Sequence, residues 1–159
     1  MKTKTTITEL THDDLVYLFS TALTGSPYLV AEYEGPSECD ENGEDDCFED
    51  ILANILLHGG CIKVSDHYSE GDIYGELPYE LDEENGCTTY FVTYDDIKRG
   101  LERAADGTFN AGDDEWTEQT KRSARVSFDS FMDEDGCDFD LVRADILMQI
   151  ILFDEIIYG

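Results

Sequence analysis

Apolar residues in this chain come in short runs whose spacing changes from segment to segment, and the spacing predicts the elements. Leu15, Leu18, Phe19, Ala22 and Leu23 recur at the intervals of one helix face. Thr11 with Asp14 is a start signal of the capping-box kind, and Gly25 can stop this first helix. Tyr28 to Tyr33 reads as a strand that ends at Gly35-Pro36, followed by an acidic loop over 34–46. A second helix is expected with Asp46 as its cap, Glu49 behind it, and Phe48, Ile51, Leu52, Ile55 and Leu56 as its stripe. Gly59-Gly60 closes it.

Cys61 to Ser65 then alternates as a strand, and Cys87 to Val92 forms another after the Asn85-Gly86 turn signal. The aromatic, acidic segment between them, 68–85, has room for a short extra strand near Tyr79. Thr93 with Asp96 opens a third helix through Ile97, Leu101, Ala104 and Ala105, closed near Gly107. A fourth helix is expected from Asp114 to Met132 with Trp116, Ala124, Phe128 and Phe131 inward. The last, from Asp140, is apolar on nearly every side through Phe153, which predicts a buried central helix. Asp154 to Tyr158 either continues it or turns into a strand. The pattern predicts an α+β fold: four or five helices packed around a small, mostly antiparallel sheet, in a single compact acidic domain over residues 1–159.

Composition changes this picture in one respect. The chain has 159 residues, 38 Asp and Glu against 10 Lys and Arg, and a formal net charge of −28. Disordered acidic chains lack aromatic and β-branched residues; this one is 41% hydrophobic with 11% aromatics, enough for a core. Such a charge is repelled by DNA, RNA and anionic membranes. No apolar run follows Met1-Lys-Thr-Lys, and the longest, Ile146 to Phe153, holds Gln149 and is too short to span a bilayer. A cytoplasmic location is expected. Cys39, Cys47, Cys61, Cys87 and Cys137 are odd in number with no C-x-x-C pair, which reads as reduced structural thiols.

Known chemical motifs do not account for the acids. An EF-hand loop needs acids at positions 1, 3 and 5, Gly at 6 and Glu at 12. Counted from Asp40 or Asp133, the glycine comes too early and the last position is Ile51 or Ala144. There is no G-x-S-x-G, H-E-x-x-H or P-loop, and Gly59-Gly60 lies at the helix end that repels phosphate. His58 and Cys61 flank a helix stop and read as structural. No enzyme, cofactor or metal site is expected.

The distribution of charge is the informative feature. Between Lys4 and Lys98 the only Lys or Arg is Lys63, against 23 acids; from Lys98 onward there are 15 acids and seven bases. The bases cluster as Lys98-Arg99-Arg103 and Lys121-Arg122-Arg125. Duplex DNA carries one charge per ~1.7 Å, so this net charge matches about 48 Å of duplex, against a diameter of about 40 Å for a domain of this length. A halophile's protein would also be acidic and lysine-poor, but five cysteines and many isoleucines are not that composition. Self-repulsion at this density works against folding, so the charge points to a partner.

Four strings also carry a resemblance: DLVYLFSTALTGS at 14–26, CFEDILANILLHGG at 47–60, TYDDIKRGLE at 93–102 and the ending ADILMQIILFDEIIYG. They resemble a family of small acidic proteins of phages, plasmids and integrated elements in gut and Gram-positive bacteria, for which the resemblance implies no activity. In size and charge the chain is similar to antirestriction proteins and acidic anti-CRISPR proteins. The function this implies is a mobile-element inhibitor that mimics nucleic-acid charge and blocks the DNA- or RNA-binding site of a host defence protein, a CRISPR effector or restriction enzyme. Its partner would be a basic nucleic-acid-binding protein. The candidate partner-binding acids are those of the loops: Glu38, Asp40, Glu41, Glu44, Asp45, Asp46, Asp82, Glu83, Glu84, Asp133, Glu134 and Asp135. The alternative is an acidic protein-interaction module without mimicry, anchored by exposed Tyr68, Tyr74 and Tyr79.

Overall fold

The computed structural model describes residues 4–33, 48–133 and 138–158. In chain order these form α1 (His12–Ala22), β1 (Leu29–Glu32), α2 (Phe48–Leu57), β2 (Cys61–Asp66), β3 (Tyr79–Asp82), β4 (Cys87–Thr93), α3 (Tyr94–Asp106), α4 (Thr117–Met132) and α5 (Leu141–Phe153). The class is α+β, with a four-stranded antiparallel sheet in the order β1-β2-β4-β3. The chain divides into two compact units. A sheet unit comprises Leu10–Ile73 and Leu77–Tyr94; a helical unit comprises Met1–Glu9, Tyr74–Glu76 and Asp95–Gly159.

In the sheet unit α1 begins at a complete capping box. The Thr11 side chain accepts from the Asp14 amide and the Asp14 carboxylate accepts from the Thr11 amide, which satisfies two otherwise orphaned donors. Leu15, Leu18, Phe19 and Ala22 are buried; Leu23 lies past the helix end and is half-buried. α1 packs on α2, and α2 on β2. The α2 stripe sits differently from the expected one. Ile51, Leu52, Ala53 and Leu56 are buried, whereas Ile55 is half-buried and Phe48, at the helix's first residue, is exposed and leans on Tyr33. The expected cap Asp46 lies outside the described residues. Register places Leu29, Ala31, Ile62, Val64, Tyr90 and Val92 on one face of the sheet, and all six are buried.

The helical unit is built on α5, buried from Ala144 and from Leu147 through Phe153; its first residues, Leu141 and Val142, are exposed. α3 turns Ile97, Leu101, Ala104 and Ala105 inward and crosses α5 at Gly100. A Cβ there would lie 2.6 Å from the Ile151 Cα, so this approach needs a residue without a side chain. α4 packs on α5 with Ala124, Phe128 and Phe131. Trp116, expected inward, is 59% exposed. Asp114 and Thr117 cause this: the Asp114 carboxylate accepts from the Trp116 amide and the Thr117 hydroxyl accepts from the Asp114 amide. That reciprocal turn delays the helix to Thr117 and leaves the indole ahead of its first turn.

Past α5 the chain neither continues the helix nor forms a strand. Asp154 adopts a left-handed conformation (φ 55°), and its amide closes the helix on the Ile150 carbonyl. Gln149, fully buried, then holds the returning chain. Its Oε1 accepts from the amides of Ile157 and Tyr158, and its Nε2 donates to the Tyr158 carbonyl and the Asp145 carboxylate, all at 2.8 Å. The polar residue in the most apolar stretch is thus satisfied on both ends of its amide.

Candidate partner-binding surface

One group of the sheet unit's acids lies at the end of the sheet where β3 turns into β4. Asp82, Glu83 and Glu84 are all exposed on this turn. The turn is set by Asp82, whose Oδ1 accepts from the Asn85 amide at 3.2 Å and whose Oδ2 accepts from the Asn85 side chain at 2.7 Å. These hydrogen bonds to the charged form hold the Asp82 carboxyl below the usual aspartate range.

A second segment is drawn to the same place. Ser69 is buried, and its hydroxyl lies 2.9 Å from the Thr88 hydroxyl, 3.2 Å from the Asp66 carbonyl and 3.3 Å from the Gly86 carbonyl. Thr88 also donates to the Asp72 carbonyl at 2.9 Å. Glu70 takes a left-handed conformation (φ 51°), with its Cα 3.6 Å from where a Cβ on Gly86 would stand. Glu70 and Asp72, both exposed, therefore join Asp82, Glu83 and Glu84 in one rim of five carboxylates. Sequence reasoning missed these two, since its only signal was the Ser-Glu-Gly-Asp turn at 69–72. The hydroxyls of Ser69 and Thr88 look like surface groups until the fold buries them.

Of the other predicted site residues, Asp133 is exposed just past α4. Glu38, Asp40, Glu41, Glu44, Asp45, Asp46, Glu134 and Asp135 lie outside the described residues. Among the predicted aromatic anchors, Tyr68 and Tyr79 are 51% and 46% exposed. Tyr74 is instead half-buried, because its ring packs edge-on against Phe153.

Cations are distributed very unevenly. The sheet unit has 19 acids and a single Lys or Arg, Lys63, for a net charge of −18; twelve of those acids are described and eight of the twelve are exposed. Lys63 sits in mid-sheet opposite Glu32 and Phe91, with its Nζ 5.5 Å from the Phe91 ring centre. In the helical unit Arg99 pairs with Asp96, Arg103 with Asp154 at 3.2 Å and Arg125 with Asp129 at 3.1 Å.

The rim offers charge rather than reactive groups. Cys87 is buried, which pushes its thiol up, and Cys61 is exposed. Among the described residues no three His, Cys, Asp or Glu side chains converge as a metal site, and no helix is long and apolar enough to cross a membrane. Family models, curated proteins and solved structures give no match to this chain. A functional reading rests on the residues and their placement.

Proposed function

We propose that the protein is a mobile-element inhibitor that presents nucleic-acid-like charge to the DNA- or RNA-binding site of a basic host defence protein, a CRISPR effector or a restriction enzyme. The observation that carries this reading is the sheet unit's 19 acids against one lysine, with a five-carboxylate rim exposed at one end of the sheet. A channel of Lys and Arg built for phosphates gains comparable electrostatic energy from closely spaced carboxylates, and the encounter is steered and salt-sensitive. The resemblance of four strings to proteins of phages and plasmids supports the origin. The inhibitor would work by occupancy in the cytoplasm, without catalysis, cofactor or direct nucleic-acid contact.

The test is capture of partners from a bacterial lysate on the tagged protein, with elution along a salt gradient. A nuclease or effector released at moderate salt and displaced by duplex DNA is the expected result. A partner that resists salt and ignores DNA would overturn mimicry. It would favour an interaction module anchored by exposed rings, a reading to which Trp116, Tyr68 and Tyr79 give substance.

A further inference from the structure

The helical unit contains a hollow of about 780 Å³ whose charge runs against that of the whole chain. Lys4, Lys121, Arg122 and Arg125 line it, against two acids, Asp106 and Glu118. Elsewhere acids outnumber bases heavily: the chain as a whole has 38 acids and 10 bases.

Local structure accounts for some of these cations but not all. Arg125 is committed, since its Nε donates to Asp129 and its Nη1 to the Ala105 carbonyl at 3.1 Å, capping the end of α3. Lys121 lays its stem over Gly107, within 3.2 Å of where a Cβ would stand, and its Nζ is 4.0 Å from Glu118, the outer limit of a pair. Arg122 and Lys4 are exposed and have no hydrogen-bond or ion-pair partner among the described residues. Asp106 keeps its charge but pairs with neither of them: its two oxygens accept from the amide and hydroxyl of Thr5, at 2.8 and 2.5 Å. A chain so rich in carboxylates has no shortage of partners, yet it leaves two cations open at this hollow.

The volume falls within the roughly 300–1,000 Å³ of small-molecule sites. An arginine fork beside two lysine ammoniums suits phosphoryl oxygens. No aromatic ring lines the hollow, so it offers no platform for stacking a base. The exposed carbonyl end of α3 would repel an anion, but Arg125 covers the Ala105 carbonyl. We propose that this hollow binds a chain of phosphates, either inorganic polyphosphate or the phosphate tail of a nucleotide. The site is independent of the mimicry reading, which rests on the sheet unit.

The experiment is an amide-resolved NMR titration of the full chain with tripolyphosphate and, separately, with ATP, in magnesium-free buffer. At ~150 mM salt the screening length is about 8 Å, which largely screens the field of distant carboxylates. Saturable shifts at Gly107, Thr108, Lys121 and Arg122 are expected, weakened about tenfold (about 1.4 kcal/mol) by Arg122→Glu. Equal affinity for the two probes assigns recognition to the phosphate chain alone; tighter ATP assigns it to a nucleotide. Shifts that never saturate, or an affinity unchanged in both Arg122→Glu and Lys4→Gln, would overturn the proposal. Both side chains are exposed, and the variants' own spectra report whether the fold is kept.

Discussion

The two units carry the same number of acids, 19 each, yet the sheet unit has one Lys or Arg and the helical unit has nine. The sheet unit's net charge of −18, against −10, thus comes from absent bases rather than from extra acids. The arginine ion pairs follow the same division, although carboxylates of both units also accept from neutral donors. In the helical unit guanidinium groups hold Asp96, Asp154 and Asp129. In the sheet unit the carboxylates bind neutral donors: Asp14 the Thr11 amide, Glu49 the Thr24 hydroxyl, Asp66 the Tyr68 amide and Asp82 both donors of Asn85. His12 is the one titratable base among these contacts, 3.2 Å from Asp50. Such bonds fix carboxylates in place without cancelling their charge. A unit whose charge was incidental would gain stability from almost any added lysine, so the scarcity of lysine is what a selected negative surface would look like.

Charge reversal would break the comparison most sharply. Glu83→Lys with Glu84→Lys changes the rim while leaving the Asp82–Asn85 turn intact. We expect the captured partner's affinity to fall about 100-fold, close to 2.7 kcal/mol. The same two reversals at exposed Asp113 and Glu115 of the helical unit should cost less than a tenth of that factor. Titration of each variant against the partner measures both. Equal losses would mean that net charge alone drives binding and that the rim has no special part.

Salt should separate the units on stability. Raising salt from about 10 to 150 mM shortens the screening length from roughly 30 to 8 Å, and self-repulsion fades most where nothing neutralises it. Amide exchange in β2 and β4 should then slow by the equivalent of about 1 kcal/mol, and in α4 and α5 by clearly less. An identical gain in both would show that the units open together, as one cooperative block.

Much of the fold was legible, and the reasons differ by element. Thr11 and Asp14 mark α1 because a capping box is a local arrangement, complete within four residues. Asn85-Gly86 marks the turn before β4 for the same reason, with Gly86 at a φ of 64°. Trp116 was misplaced because helix periodicity extends backward through 114–116, while the Asp114–Thr117 exchange that stops it depends on side-chain geometry. Of the rim, Asp82 to Glu84 are readable as turn acids. Glu70 and Asp72 join them only through Ser69 and Thr88, 19 residues apart, and no local pattern couples positions at that distance.

The smallest predicted effect tests how the rim keeps its charge. Partial loss of solvent favours a proton on Asp82, while the Asn85 side-chain and backbone donors favour its loss. The lowered value, with the Asn85 bonds as its largest causes, says the donors win. A carboxyl whose folded value lies below its unfolded one contributes stability that is complete above the unfolded value. That contribution is lost as pH falls through the folded value. Asp82→Ala should therefore lower the urea midpoint slightly at neutral pH, and the gap from the parent should close below the ordinary aspartate range. A gap that stayed constant into acid would mean the Asn85 contacts act through packing alone. A gap of opposite sign would mean that repulsion within the rim outweighs its hydrogen bonds, and the turn would then be a point of strain in the sheet unit rather than its anchor.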